Sequence, residues 1–121
     1  MVVLYRTVHH NPPLPEDFRS GKEMGIQKPN RSKELYWLGF SAYDSLERAS
    51  DIAERFPRQG DYVAEFTVPD AASTPPDTNA FTLPAAGSIT IMRSFGPGHW
   101  TVWGFPDLFP PLVRRVTVVP R

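Results

Sequence analysis

The chain has 121 residues, 40% of them hydrophobic and 21% charged, with thirteen basic side chains against thirteen acidic ones. That length holds one core-bearing domain rather than two, and a net charge of zero gives no electrostatic footing for a nucleic-acid or membrane partner. Cysteine is absent, which excludes disulfides, thiolate metal sites and a cysteine nucleophile.

Val2–Val8 is β-branched and aromatic, is bounded by HHNPP, and reads as a strand. The opening MVVLYRTVHH has no basic region leading into a long apolar run, so it is not a secretory signal. No stretch approaches the roughly 20 apolar residues that span a bilayer. A soluble cytoplasmic protein is therefore expected. A short helix is expected from about Pro15 to Met24: proline suits the first turn, Glu16 and Asp17 complement the dipole, and Gly25 stops it. Residues 25–34 are polar and read as a loop.

Leu35–Tyr43 contains a strand centred on Leu38–Ala42. Asp44 offers an N-cap, with Glu47 three residues later as in a capping box. Leu46, Ala49, Ile52, Ala53 and Phe56 recur on one helical face, so an amphipathic helix is expected from about Ser45 to Phe56. Pro57 and Gly60 end it. Asp61–Val68 alternates, with Tyr62, Ala64, Phe66 and Val68 on one face and Val63, Glu65 and Thr67 on the other.

Residues 69–87 are rich in Pro, Ala and Thr and read as a long surface loop, of the kind that covers clefts. Ser88–Ser94 and His99–Gly104 are expected to pair as a hairpin around FGPG, and Leu112–Val119 to close the sheet. No helix after the middle of the chain is long enough to cross between parallel strands. The expected architecture is therefore α+β over a single domain, residues 1–121: a largely antiparallel twisted sheet, one main amphipathic helix and a short N-terminal helix.

Few residues stand out chemically. FGPGHW is a turn rather than a phosphate cradle, and GFSAY lacks the second glycine of a nucleophile elbow. The histidines form no i, i+4 metal pair, and His9 and His10, being adjacent, would point to opposite faces of a strand. Arg6 does stand out. A charge in the middle of an apolar strand either faces solvent or meets an anion, and a guanidinium fork matches a carboxylate or phosphate.

Taken in order, LYRTV, GFSAYDSLERASDIAERF and YVAEFTVP resemble the ADP-ribosyltransferase family, over about two-thirds of the chain. In that family a first-strand arginine or histidine precedes a Gly-Phe-x-Ser-x-Ser strand. A helix with spaced alanines, a strand ending in Val-Pro and a late-strand glutamate follow. The resemblance implies that Arg6 holds the dinucleotide NAD. It implies that Ser41 orients the first-strand side chain and the nicotinamide ribose, and that Tyr43 stacks on the nicotinamide ring. At the late strand, GHWTVWG, the family glutamate has no counterpart; His99 or Thr101 stands in its region, which makes His99 the positional substitute beside Arg6 and Ser41. The glutamate would stabilise the oxocarbenium-like charge that develops as nicotinamide leaves, a kind of stabilisation worth about 2.7–4 kcal/mol, and a protonated histidine has the wrong sign for it. Glu65 is expected on a solvated strand face.

The resemblance therefore implies an NAD-consuming enzyme, a transferase or a glycohydrolase, with NAD as substrate and toxins, including the RES-type, among its kin. A protein target or a cognate inhibitor are the implied partners. Two readings stand beside it. One is a catalytically silent binding or regulatory module of the same fold. The other is a small RNA-cleaving toxin using His9, His10 or His99 with Arg6, which the neutral charge disfavours.

Overall fold

The computed structural model describes residues 1–27, 34–69, 87–94 and 96–121. The segments read as strands become β1 (Val2–Val8), β2 (Phe40–Tyr43), β3 (Tyr62–Val68), β4 (Thr90–Arg93), β5 (His99–Trp103) and β6 (Val113–Val118). They form one sheet in the order β4-β5-β2-β1-β3-β6, and every neighbouring pair is antiparallel. Two α-helices, α1 (Glu34–Trp37) and α2 (Leu46–Arg55), complete an α+β domain. No helix among the described residues is long and apolar enough to cross a membrane.

Pairing is uneven across the sheet. β1 matches β3 from Val2↔Val68 to Val8↔Tyr62 without a break, and β2 matches β5 along its whole length. β1 and β2 share a single pair, Tyr5↔Tyr43. The sheet is thus two three-stranded halves joined at one point. Beyond it, towards the Val8 end of β1 and the Phe40 end of β2, no ladder pair closes the gap.

Alternation from the Tyr5↔Tyr43 pair assigns the faces. One carries Leu4, Val8, Phe40, Ala42, Phe66 and Val102, packed with Phe18 and Phe109, both fully buried. The other carries Tyr5, Tyr43 and Val63 against Ala49 and Ala53 of α2 and against Val119. At the far end of α2, Arg121 Nη2 donates to the carbonyls of Ala53 and Gly60 at 3.3 and 2.8 Å.

Several boundaries differ from expectation. The segment from Pro15 makes only one 3-10 turn, Pro15–Phe18, after which Arg19 is extended. Ser20 and Glu23 then bond each other's backbone N–H groups reciprocally, at 2.9 and 3.1 Å, and this local bonding displaces the helical ladder. Residues 35–37 belong to α1, and the strand begins later, at Phe40. The cap of α2 is Ser45, not Asp44: its hydroxyl accepts the Arg48 N–H at 3.2 Å, while Asp44 pairs with the Arg48 guanidinium at 3.3 Å. On α2 the two alanines are fully buried, but Leu46 and Phe56 remain 38% and 56% exposed, because the sheet contacts only the centre of the apolar stripe. The hairpin forms as β4–β5. Of the two segments read as loops, residues 28–33 and 70–86 lie outside the described residues.

Candidate functional site

Arg6 sits where β1 and β2 part company. It is 8% exposed. Its Nε donates to the Asp17 carbonyl at 3.0 Å, and its Nη1 donates to the Ser41 carbonyl at 2.8 Å. The guanidinium carbon lies 4.6 Å from the centre of the Phe40 ring. Arg6 therefore bridges the gap in the ladder by giving a β2 carbonyl the donor that β1 does not. Among the described residues it makes no ion pair. Two of its five N–H groups are used, and three remain. Burial pushes its pKa down to about 10, with Tyr43 and Asp17 acting in the opposite direction. It stays cationic at neutral pH.

The Asp17 carbonyl that receives Arg6 is fixed by the Asp17 carboxylate, whose side chain is 1% exposed. Oδ1 accepts the His9 N–H and Oδ2 accepts the Leu14 N–H, both at 2.9 Å. The His10 ring reaches Oδ2 at 3.0 Å, and His9 Nδ1 lies 3.8 Å from Oδ1. β1 ends at Val8, so His9 and His10 leave strand alternation and turn to the same carboxylate instead of to opposite faces.

Above Arg6 opens a cleft of about 450 Å³. On the β1 side it is lined by Thr7, His9, Arg58 and Gln59; on the β2 side by Met24, Ile26, Tyr36 and Phe40. Ser41 lines it as well, as does Gly39. A Cβ at Gly39 would come within 2.7–2.9 Å of Thr101 Cγ2, the Val102 carbonyl and Trp103 Nε1, so close packing of β2 on β5 requires glycine there.

A second cavity, of about 300 Å³, lies between α2 and the start of β5, lined by Tyr43, His99, Arg48, Asp51 and Arg55 among others. The Tyr43 and His99 rings meet edge-on at 5.3 Å. His99 Nδ1 bonds the Ser94 carbonyl at 3.0 Å, which fixes a proton on that nitrogen in the neutral ring. Burial holds His99 below the usual histidine value, with the Ser94 bond opposing. Burial also pushes the Tyr43 phenol up, against the charge of Arg6.

The four site residues expected from the sequence thus divide into two pairs. Arg6 and Ser41 line the first cleft, and Tyr43 and His99 line the second. The expected convergence of Arg6, Ser41 and Tyr43 on one cleft does not occur. Tyr5, adjacent to Arg6 and so on the opposite face, is the residue that pairs with Tyr43. His99 faces Tyr43 across the β2–β5 ladder and lines the second cavity, whereas His9 lines the first. Thr101 is 2% exposed and bonds Ser94 Oγ at 2.7 Å. Glu65 is half-buried beside Arg115, accepts the Tyr5 hydroxyl at 3.1 Å and lines neither cavity.

Sequence reasoning missed Asp17 as an anchor and Glu16 and Arg58 as lining residues. Asp17 and Glu16 read as ordinary first-turn acids, and nothing in the sequence singles out Arg58. Among the described residues no group of three or more His, Asp or Glu side chains is placed to hold a metal ion. Comparison with protein-family models, curated proteins and solved structures finds no match for this chain.

Proposed function

We propose that this chain is an NAD-binding domain of the ADP-ribosyltransferase or NAD-glycohydrolase type, with the dinucleotide held in the cleft above Arg6. The observation that carries the reading is Arg6 itself. A buried cation whose contacts are two carbonyls and a ring, with three N–H groups unused and a cleft above it, is poised for an anion. Ser41 lines the same cleft and meets Arg6 through its backbone carbonyl. The ordered sequence resemblance supplies the identity of the anion, a dinucleotide diphosphate.

Loss of nicotinamide leaves positive charge on the ribose, and a carboxylate is the group that stabilises it. Glu16 is the exposed carboxylate of the cleft; Asp17 also lines it, but is buried and fully bonded. The role falls to Glu16 in the active reading. A second reading, binding without turnover, is favoured by the absence of any carboxylate from β4 and β5.

Calorimetric titration with NAD tests the binding half. The wild type gives saturable heat, and Arg6→Ala loses it; equal affinity in both proteins contradicts the reading. Nicotinamide release tests the catalytic half. Release by the wild type, lost in Glu16→Gln with binding intact, supports an enzyme. Binding without release supports the silent module.

A further inference from the structure

We propose that the turn Ser20–Ile26, with Tyr36, forms a subsite for the purine base of a nucleoside diphosphate, on the wall of the cleft facing Arg58. The inference rests on the nucleotide reading of the cleft given above.

Met24 and Ile26 are 42% and 52% exposed, yet both line the cleft. Apolar side chains left in water this way are ordinary when scattered on a mobile surface. Here the turn that carries them is fixed. Met24 N–H donates to the Ser20 carbonyl at 3.0 Å, and Ile26 N–H donates to the Gly21 carbonyl at 2.9 Å. The reciprocal Ser20–Glu23 bonds tighten the same turn. Gly25 closes it with φ of +76°, a conformation that favours glycine. The turn is then fastened to α1: Trp37 Nε1 donates to the Ile26 carbonyl at 2.7 Å, and Lys22 N–H donates to the Trp37 carbonyl at 3.1 Å. The turn that carries the two apolar side chains is thus fixed in place, and both side chains line the cleft.

The opposite wall has the complementary character. Arg58 gives its carbonyl to His9 Nε2 at 2.8 Å, but its guanidinium has no partner among the described residues. With Arg6 and Arg19 it gives the cleft three guanidinium groups, which the exposed Glu16 carboxylate offsets only in part, alongside the apolar Met24 and Ile26. A ligand that satisfies both walls is flat and apolar at one end and anionic at the other. A purine nucleoside diphosphate has that form: the ring face needs only apolar contact and an aromatic edge, and the phosphates take parallel guanidinium bonds.

The test uses the intact chain and three probes: ADP, pyrophosphate and adenosine. Each is titrated into the wild type, Ile26→Ser, the Met24→Ser/Ile26→Ser double variant and Arg58→Ala, with thermal melts to show that each variant is folded. In the wild type, ADP should bind at least about tenfold more tightly than pyrophosphate. The double variant should lose that advantage while its pyrophosphate affinity stays within about twofold, with Ile26→Ser intermediate. Arg58→Ala should weaken ADP and pyrophosphate alike. ADP affinity unchanged in the double variant, or lost in parallel with pyrophosphate affinity, overturns the base subsite. NAD binding that needs Arg6 but ignores Met24 and Ile26 overturns the subsite alone. Absence of NAD binding in the wild type overturns the nucleotide reading itself, and the subsite with it.

Discussion

On the sheet face that carries Arg6, four phenylalanines, Phe18, Phe40, Phe66 and Phe109, interlock with ring centroids 4.8–6.2 Å apart. On the face under α2, the buried layer is Ala49, Ala53, Val63 and Val119, and the larger side chains Leu46 and Phe56 stand partly in water. The first face has volume and rigidity to spare, and it holds a buried cation against the Phe40 ring. The second face is thin, and the cavity beside it is edged by the charged Arg48, Asp51 and Arg55; the exposed pair that Arg48 makes with Asp44 contributes little to stability. A charge can be kept dry and aimed only where the surrounding packing over-determines its position, and that condition holds at Arg6.

The sharpest way to break this comparison is to remove an aromatic ring. Phe66→Ala or Phe18→Ala should destabilise by about 3–5 kcal/mol, measured by chemical denaturation. Leu46→Ala on the α2 face should stay below about 1 kcal/mol, because that side chain is already 38% exposed. Equal losses on the two faces would show that the aromatic cluster is not the principal core. Filling the thin layer is the converse experiment. Ala53→Leu, at a fully buried position, should cost about 1–3 kcal/mol by overpacking.

Arg6 sharpens the contrast between stability and function. Its pKa, pushed down to about 10 by burial, means that the fold disfavours the charge it holds. Arg6→Met removes that penalty but orphans the Asp17 and Ser41 carbonyls. The two effects oppose each other, so stability should change by less than about 1 kcal/mol while NAD affinity is lost. A variant that both unfolds and fails to bind would make Arg6 a structural residue.

The smallest effect concerns the second cavity. His99 has a folded-state pKa below its unfolded value, so the unfolded chain binds more protons as pH falls. The stability of the wild type should be insensitive to His99 above the ordinary histidine range and should fall as pH drops through it. His99→Gln should lose less stability than the wild type between neutral pH and mild acid. Parallel pH profiles would show that burial does not bias this ring.

Much of the scaffold was legible from local rules. β-Branched composition between its bounds located β1, period-two alternation located β3 to within a residue of its ends, and helical spacing located α2. The Pro15–Phe18 turn was over-extended, because propensity and dipole arguments take no account of Ser20 and Glu23 bonding each other's backbone. Asp44 is displaced as cap by Ser45, whose hydroxyl accepts the Arg48 N–H, while Asp44 pairs with the Arg48 guanidinium. The site was half legible. Arg6 was conspicuous as a charge within an apolar strand, and Ser41 came with it. Tyr43 lies on the face opposite Arg6, as does the Ser41 side chain, and Ser41 meets Arg6 only through its carbonyl. The Tyr5↔Tyr43 pairing is a tertiary fact that alternation within one strand cannot supply. Asp17, whose work is done by backbone bonds across a proline-rich turn, left no periodic signal at all.

The central claim is that the cleft at Arg6, and not the cavity at His99, receives the nucleotide. Titrating NAD into the wild type, Arg6→Gln and Arg48→Ala tests it most directly, since each variant removes one cation from one of the two cavities. Arg6→Gln should weaken NAD by at least about tenfold, and Arg48→Ala should stay within about twofold of the wild type. Affinity lost in Arg48→Ala and retained in Arg6→Gln would place the site on the other face and contradict the account.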